Sequence, residues 1–242
     1  MSEPDPLGAA YVNFRDLGGH PTPTGVVRRG HLFRSDSLAQ CTPDDVEHLV
    51  RSHRVATIVD LRRELEVEMA PMDTLRGAGV RVEHLSLIDP AVPAISTQDI
   101  DGTLTDRYVS ILSTSGTQFV SVMQLIADER NHPLVFQCAA GKDRTGLVAA
   151  LVLELLGVDD EVIVADYAKT AEVADLILAR LTATMPNVGT LGPRIMSAEA
   201  STMRGALDWL RATHGSAEAY LVTNGLTVDE ITTMRASLIE SA

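Results

Sequence analysis

Cysteine is nearly absent from this chain: Cys41 and Cys138 are its two thiols in 242 residues. Two cysteines cannot build a disulfide framework, so the sequence predicts reduced thiols and a cytoplasmic location, with export that needs no signal peptide left open. Aromatics amount to 4 %, including one Trp, so Leu, Val, Ile, Ala and Met have to fill the interior. No apolar run reaches the roughly 18 residues of a membrane span. The opening MSEPDPLGAA is acidic and lacks the basic-then-apolar order of a secretory signal. Basic residues are outnumbered, 20 against 33 acidic, for a net charge of −13. That balance excludes a broad nucleic-acid or anionic-membrane surface, so any anion site must be local. The seven histidines show no metal-ligand spacing, and no metal or other cofactor is expected. Repeats, low-complexity blocks and long polar linkers are missing too. Residues 1–242 therefore read as one domain, with 1–10 as a loose arm.

What is present alternates. Gly25-Val26-Val27 and Arg28 to Phe33 suggest a short hairpin, with Pro21, Pro23 and Gly25 at its turn. Thr42-Pro43-Asp44-Asp45 opens a helix that should run to about His53. Strands are expected at 55–61, 80–88 and 133–138, and helices at 63–68, 106–113 and 117–128. The stretch 89–105, with two prolines, reads as a mobile loop. A helix from Arg144 should end at Gly157, and everything beyond reads as helical. Strands alternating with helices, then helices alone, predict an α/β fold with a central, mostly parallel sheet flanked by helices and a helical C-terminal part. In such sheets ligands gather beyond the carboxyl ends of the strands, where Cys138 and Asp60 fall.

The stretch FQCAAGKDRTG, residues 136–146, sits at one of those ends. A tight strand-to-helix loop turns its amides inward as an anion nest, and the helix that follows presents its positive end. Ala139, Ala140, Gly141, Lys142, Asp143 and Arg144 would form that nest. Gly141 supplies the backbone freedom, and Arg144 a planar fork for two phosphate oxygens. The same positive surroundings favour thiolate over thiol at Cys138. Asp143 stands where a Walker loop requires Ser or Thr, so this is not a nucleotide loop of that kind. The blander reading of Cys138 is a buried small hydrophobe beside a helix start.

CAAGKDRTG resembles the phosphate-binding loop of protein tyrosine phosphatases, most closely the atypical bacterial tyrosine and lipid phosphatases whose loop reads HCxxGKDRTG. The similarity extends to Asn13-Phe14-Arg15-Asp16-Leu17-Gly18-Gly19, Phe33-Arg34-Ser35-Asp36, Ile58-Val59-Asp60-Leu61-Arg62 and the helices around 221–239. It thus covers nearly the whole chain. One position departs: Gln137 stands where that family has histidine.

The resemblance implies a tyrosine-phosphatase-like fold and a metal-independent phosphomonoesterase. Phosphotyrosine, phosphoserine or phosphothreonine proteins, or phosphoinositides, would be its substrates. Cys138 would attack phosphorus, Arg144 and the loop amides would hold the oxygens, and Lys142 would reach a second anionic group. Thr145 would donate to the leaving thiolate, or merely cap its helix. Asp143, carried over from the family, or Asp60 would protonate the leaving oxygen, unless Asp60 pairs with Arg62. Arg15 and Asp16 are expected to brace the loop as a buried pair. Helices at about 161–200 are either a lid or ordinary core. Two other functions stay open: a phosphate-binding module without turnover, motivated by Gln137, and a rhodanese-like sulfurtransferase. The oligomeric state has no signature in the sequence.

Overall fold

Runs of β-branched and leucine residues short enough to be strands, and apolar on both sides, have to be covered by helices on both faces. The computed structural model, which describes residues 11–88, 102–184 and 196–241, has that arrangement. Along the chain come β1 (Arg15–Asp16), the hairpin β2 (Pro21–Thr22) and β3 (Gly25–Val27), and β4 (Leu32–Ser35). Next are α1 (Pro43–Ser52), β5 (Thr57–Asp60), α2 (Glu64–Met69), α3 (Asp73–Gly77) and β6 (Arg81–His84). Then follow α4 (Leu104–Thr114), α5 (Gly116–Ala127), β7 (Leu134–Gln137) and α6 (Asp143–Leu155). The remainder holds α7 (Asp160–Ala168), α8 (Ala174–Thr184), α9 (Ala200–His214), α10 (Ala217–Thr223), α11 (Val228–Leu238) and β8 (Ile239–Glu240).

The main sheet has the order β1-β4-β7-β5-β6, parallel except for β1. Its middle strands alternate between two cores, as a pleated strand must. Leu134, Phe136, Val59 and Leu32 face the larger core, whereas Val135, Ile58 and Phe33 face a smaller one closed by α1 and α3. Each such fully buried side chain contributes about 1.5–3 kcal/mol. Helix α6 lies in the larger core and is apolar nearly all round, with Leu147 to Leu153 all buried. It ends at Gly157, whose φ of +83° suits the cap expected there. Threonine caps begin α1, α4 and α11, each with a reciprocal carboxylate at Asp45, Asp106 or Glu230.

Several expectations are corrected. The hairpin is β2–β3, and Leu32–Ser35 instead joins the main sheet beside β7, because its four residues are buried on both faces. The strand expected over 80–88 spans only Arg81–His84. Helix α4 starts at Leu104 because Thr103 caps it, inside the stretch read as loop. Helix α3 was not anticipated, and the chain ends in β8, which pairs with β3 rather than extending a helix. The loose arm 1–10 and residues 89–101 of the expected loop lie outside the described residues. Among the described residues no single helix is long and apolar enough to cross a membrane.

Candidate active site

Register builds the floor of the site. Ser35, Gln137, Asp60 and His84 stand side by side in one row at the carboxyl ends of β4, β7, β5 and β6. Cys138 is one residue beyond that row, 2 % exposed, where the strand gives way to the loop.

Three consecutive loop carbonyls are tied to groups behind the loop. Ala139 O accepts from the Ser37 amide at 3.2 Å. Asn13 Nδ2 donates to Ala140 O and Gly141 O, both at 3.1 Å, and Arg34 Nη2 donates to Gly141 O at 2.7 Å. A planar peptide carries its C=O and N–H on opposite sides. Holding these oxygens behind therefore turns the amides of Ala140, Gly141 and Lys142 the other way, as an anion nest requires. Gly141 has φ +64°, and a Cβ there would sit 2.4 Å from Ser35 O.

The brace behind the loop differs from the expected Arg15–Asp16 pair. Arg15 instead meets Asp166 of α7, Nε to Oδ1 at 2.6 Å, and donates to Asn13 Oδ1 at 2.6 Å. Asp166 Oδ2 also receives Arg34 Nη1 at 2.6 Å. Asp16 instead accepts from the Gly18 amide, two residues on, and from the Gly30 amide just ahead of β4, its antiparallel partner strand, at 2.8 Å each. Burial alone would raise the Asp166 carboxyl, but Arg34 and Arg15 hold it well below the usual carboxylate range.

Arg144 opens α6 beside Asp143, 13 % exposed, and forms a bidentate pair with Glu66 of α2 at 2.5 and 2.9 Å. Its Nη1 also donates to Leu61 O at 3.3 Å. Burial would lower the Arg144 guanidinium, yet Glu66, Cys138 and Asp143 push it above its usual value. Glu66 does a second job, accepting from the Arg63 amide at 2.7 Å at the start of α2. Its own carboxyl is held below the ordinary value by Arg144 against the effect of burial.

Asp143, 21 % exposed, accepts from the Tyr108 hydroxyl at 2.9 Å and lies 3.4 Å from Lys142 Nζ. Burial, the largest single influence, would raise its carboxyl. Lys142, Arg107, the Tyr108 hydroxyl and Arg144 together hold it below the usual range. Lys142 is 1 % exposed, and its ammonium also donates to Ser197 O at 3.1 Å. Asp60 forms the ion pair with Arg62, at 2.7 Å, and receives the Gln137 amide at 2.5 Å. Gln137 Oε1, one residue before Cys138, and Thr145 Oγ1, in the first turn of α6, are buried and have no hydrogen-bond partner among the described residues.

At the pocket's far side α8 approaches, Arg180 pairing with Asp36 at 3.1 Å and donating to Ser37 O at 3.0 Å. A cavity between Ala139, Arg62, Ile177 and Arg180 adjoins the loop. Helix α7, by contrast, packs Ile163, Val164 and Tyr167 into the core, and residues 185–195 of the stretch expected as a lid lie outside the described residues. Among the described residues no three His, Cys, Asp or Glu side chains cluster as metal ligands would. Sequence reading missed Asn13, Arg34, Glu66, Tyr108, Tyr167 and Asp166 as parts of the site. Asn13 and Arg34 lay within recognisable motifs, but no local spacing pointed to the other four.

The model of the tyrosine phosphatase family matches residues 9–240. The chain is 27 % identical to the triple specificity protein phosphatase PtpB of Mycobacterium tuberculosis, over 94 % of this chain and 96 % of that one. It is 33 % identical to a tyrosine-protein phosphatase of Nostoc commune over 58 % of this chain and 48 % of the relative. Among solved structures it is similar to TpbA of P. aeruginosa, with TM-score 0.35 and 19 % identity, covering 81 % of this chain and 86 % of that one. The catalytic core of the PP-IP phosphatase SIW14 of S. cerevisiae gives TM-score 0.42 at 14 % identity, over 65 % and 75 % of the two chains. With a family match that runs from residue 9 to residue 240, this chain belongs to the tyrosine phosphatase family.

Proposed function

We propose that this phosphatase hydrolyses phosphomonoesters in two steps through a cysteinyl-phosphate on Cys138, without a metal. In the first step the Cys138 thiolate attacks phosphorus, the S–P bond forms and the bond to the leaving oxygen breaks. Asp143 gives that oxygen its proton. In the second step water attacks phosphorus, its proton passes to Asp143, and the S–P bond breaks to return the thiolate and inorganic phosphate. The loop amides and Arg144 stabilise the equatorial oxygens in both steps. Thr145 Oγ1, buried and unpartnered among the described residues, donates to the departing thiolate. Asp60 is committed to Arg62 and Gln137, which supports Asp143 rather than Asp60 as the acid.

The observation that carries this reading is the row of carbonyls at 139, 140 and 141 anchored behind the loop, with the amides turned toward one side beside a buried thiol. An aryl phosphate such as phosphotyrosine suits it, and the relative named for triple specificity supports a range wider than one kind of substrate. Phosphoserine, phosphothreonine and phosphoinositides are the further classes that the loop's resemblance implies. A non-catalytic phosphate-binding role is the second reading. It is favoured by Gln137, whose amide is committed to Asp60.

Cys138→Ser separates them. A serine hydroxyl stays un-ionised near neutral pH while the amides and Arg144 remain, so the variant should bind vanadate yet lose more than about 99 % of aryl phosphate turnover, as removal of a nucleophile does. Wild-type turnover should persist with a chelator. Absence of turnover in the wild type would support the binding module, and substantial turnover by Cys138→Ser would remove the nucleophile assignment.

A further inference from the structure

We propose that Tyr108 is a positioning residue for Asp143, fixed in turn by Tyr167, so that the Asp143 carboxyl is held by Oδ1 and uses Oδ2 to carry the proton. This rests on the reading of Asp143 as the acid given above.

Tyr108 projects from α4 and is 0 % exposed; Tyr167 projects from α7 and is 1 % exposed. A phenol sunk that deep keeps its hydroxyl at a net cost unless the hydroxyl finds partners. Both do. Tyr108 donates to Asp143 Oδ1 at 2.9 Å, and the two hydroxyl oxygens are 2.7 Å apart. Each hydroxyl has a single proton, so with Tyr108 donating to the carboxylate, Tyr167 has to donate to Tyr108. The bonds run Tyr167 to Tyr108 to Asp143. Burial, first among the causes, pushes both phenols above their ordinary value, so neither loses its proton near neutral pH.

The loop motif itself builds the far end of this chain. Gly146 underlies the Tyr167 ring, and a Cβ there would lie 3.0 Å from Tyr167 Cδ2. The rings of Tyr108 and Tyr167 meet edge to face, centroids 5.9 Å apart at 87°. Three elements, α4, α6 and α7, are thus locked at the carboxyl of one loop residue. Lys142 approaches the same Oδ1, at 3.4 Å, which leaves Oδ2 as the oxygen with no hydrogen bond or ion pair among the described residues. The groups that act on Asp143 are Lys142 and Arg144 from the loop and α6, Arg107 and Tyr108 from α4, and Tyr167 from α7. Of these, Tyr108 is the one that fixes the carboxyl's orientation by donating a hydrogen bond to it.

The test compares Tyr108→Phe, Tyr167→Phe, Asp143→Asn and Tyr108→Phe/Asp143→Asn. kcat/KM is measured against pH for phenyl phosphate, a poor leaving group, and 4-nitrophenyl phosphate, a good one, with thermal melting as a folding check. Asp143→Asn should slow phenyl phosphate selectively. On the acid plateau Tyr108→Phe should slow phenyl phosphate about tenfold more than the nitrophenyl ester, as loss of orientation at a proton donor does. The falling limb for phenyl phosphate should move to higher pH by about half a unit or more, because a donor that favours the carboxylate is gone. In the Asp143→Asn background Tyr108→Phe should add less than about twofold. Tyr167→Phe should show the same selectivity in smaller measure, and it carries the test if Tyr108→Phe does not fold. Equal slowing of both esters by the tyrosine variants, or an undiminished effect in the Asp143→Asn background, would overturn the positioning role while leaving Asp143 as the acid. If Asp143→Asn itself treats both esters alike, the acid assignment falls and this inference falls with it.

Discussion

Gln137 occupies the strand position just before Cys138, fully buried, with one end of its amide on Asp60 and Oε1 unpartnered among the described residues. The sequence showed that a neutral residue stands where related loops carry histidine; it could not show that Asp60 would be its partner, 77 residues away. A histidine placed there would meet the Asp60 carboxylate, which favours the charged imidazolium. That charge, next to Cys138, would favour thiolate. Gln137→His should therefore speed alkylation of Cys138 by iodoacetamide at mildly acidic pH and raise aryl phosphate turnover in the same range. Coincident alkylation profiles for the two proteins would mean that glutamine already supports the thiolate fully.

At the scale of elements, the loop and α6 act as one piece. Gly141 takes a left-handed φ, and its missing side chain lets the loop pack against the end of β4, where a Cβ would lie 2.4 Å from Ser35 O and 2.6 Å from the Asp36 amide. These are backbone atoms and cannot turn away as a flexible side chain would. Gly141→Ala adds a left-handed penalty of about 1–2 kcal/mol to that clash. The loop would have to lift from Asn13 and Arg34, releasing the carbonyls that aim its amides. Vanadate affinity should fall at least about tenfold, and the denaturation midpoint should drop. An unchanged vanadate affinity in a folded Gly141→Ala protein would show that the anchoring does not shape the cradle. The sequence marks this glycine as the turn residue, but the surface it packs on is the end of β4, whose place beside β7 only the fold decides.

Across the whole molecule, one carboxylate joins the N-terminal segment, the sheet and the C-terminal helices. Asp166 pairs with Arg15 and with the fully buried Arg34, which lie 151 and 132 residues away in the chain. Asp166→Asn leaves two arginines short of their counter-charge, one of them without solvent, and should cost about 3–5 kcal/mol at neutral pH. The Asp166 carboxyl is depressed in the folded state, so its contribution is complete above the ordinary carboxylate value of about 4 and is lost as pH falls through its lower folded value. Urea midpoints of wild type and Asp166→Asn should differ most near pH 7 and converge in strong acid. A difference that is constant with pH would mean the loss is one of packing, not of charge.

The sequence alone determined the chemistry-bearing loop, the strand ends that carry Cys138 and Asp60, the capped starts of α1 and α6's glycine end, and the acidic balance that confines an anion site to one pocket. These are local properties: they follow from residues within a few positions of one another, whose periodicity, caps and turns need no partner from elsewhere. Tertiary structure decided the rest. Glu66 on Arg144, Tyr108 on Asp143, Asn13 on the loop carbonyls and Asp166 between two arginines are contacts across 35 to 151 residues. A charged or polar side chain carries no mark of which distant partner it will meet. That choice is made when β4, β7 and β5 align in register and α4 and α7 close over α6, because burial then leaves each of these groups only the partners within reach.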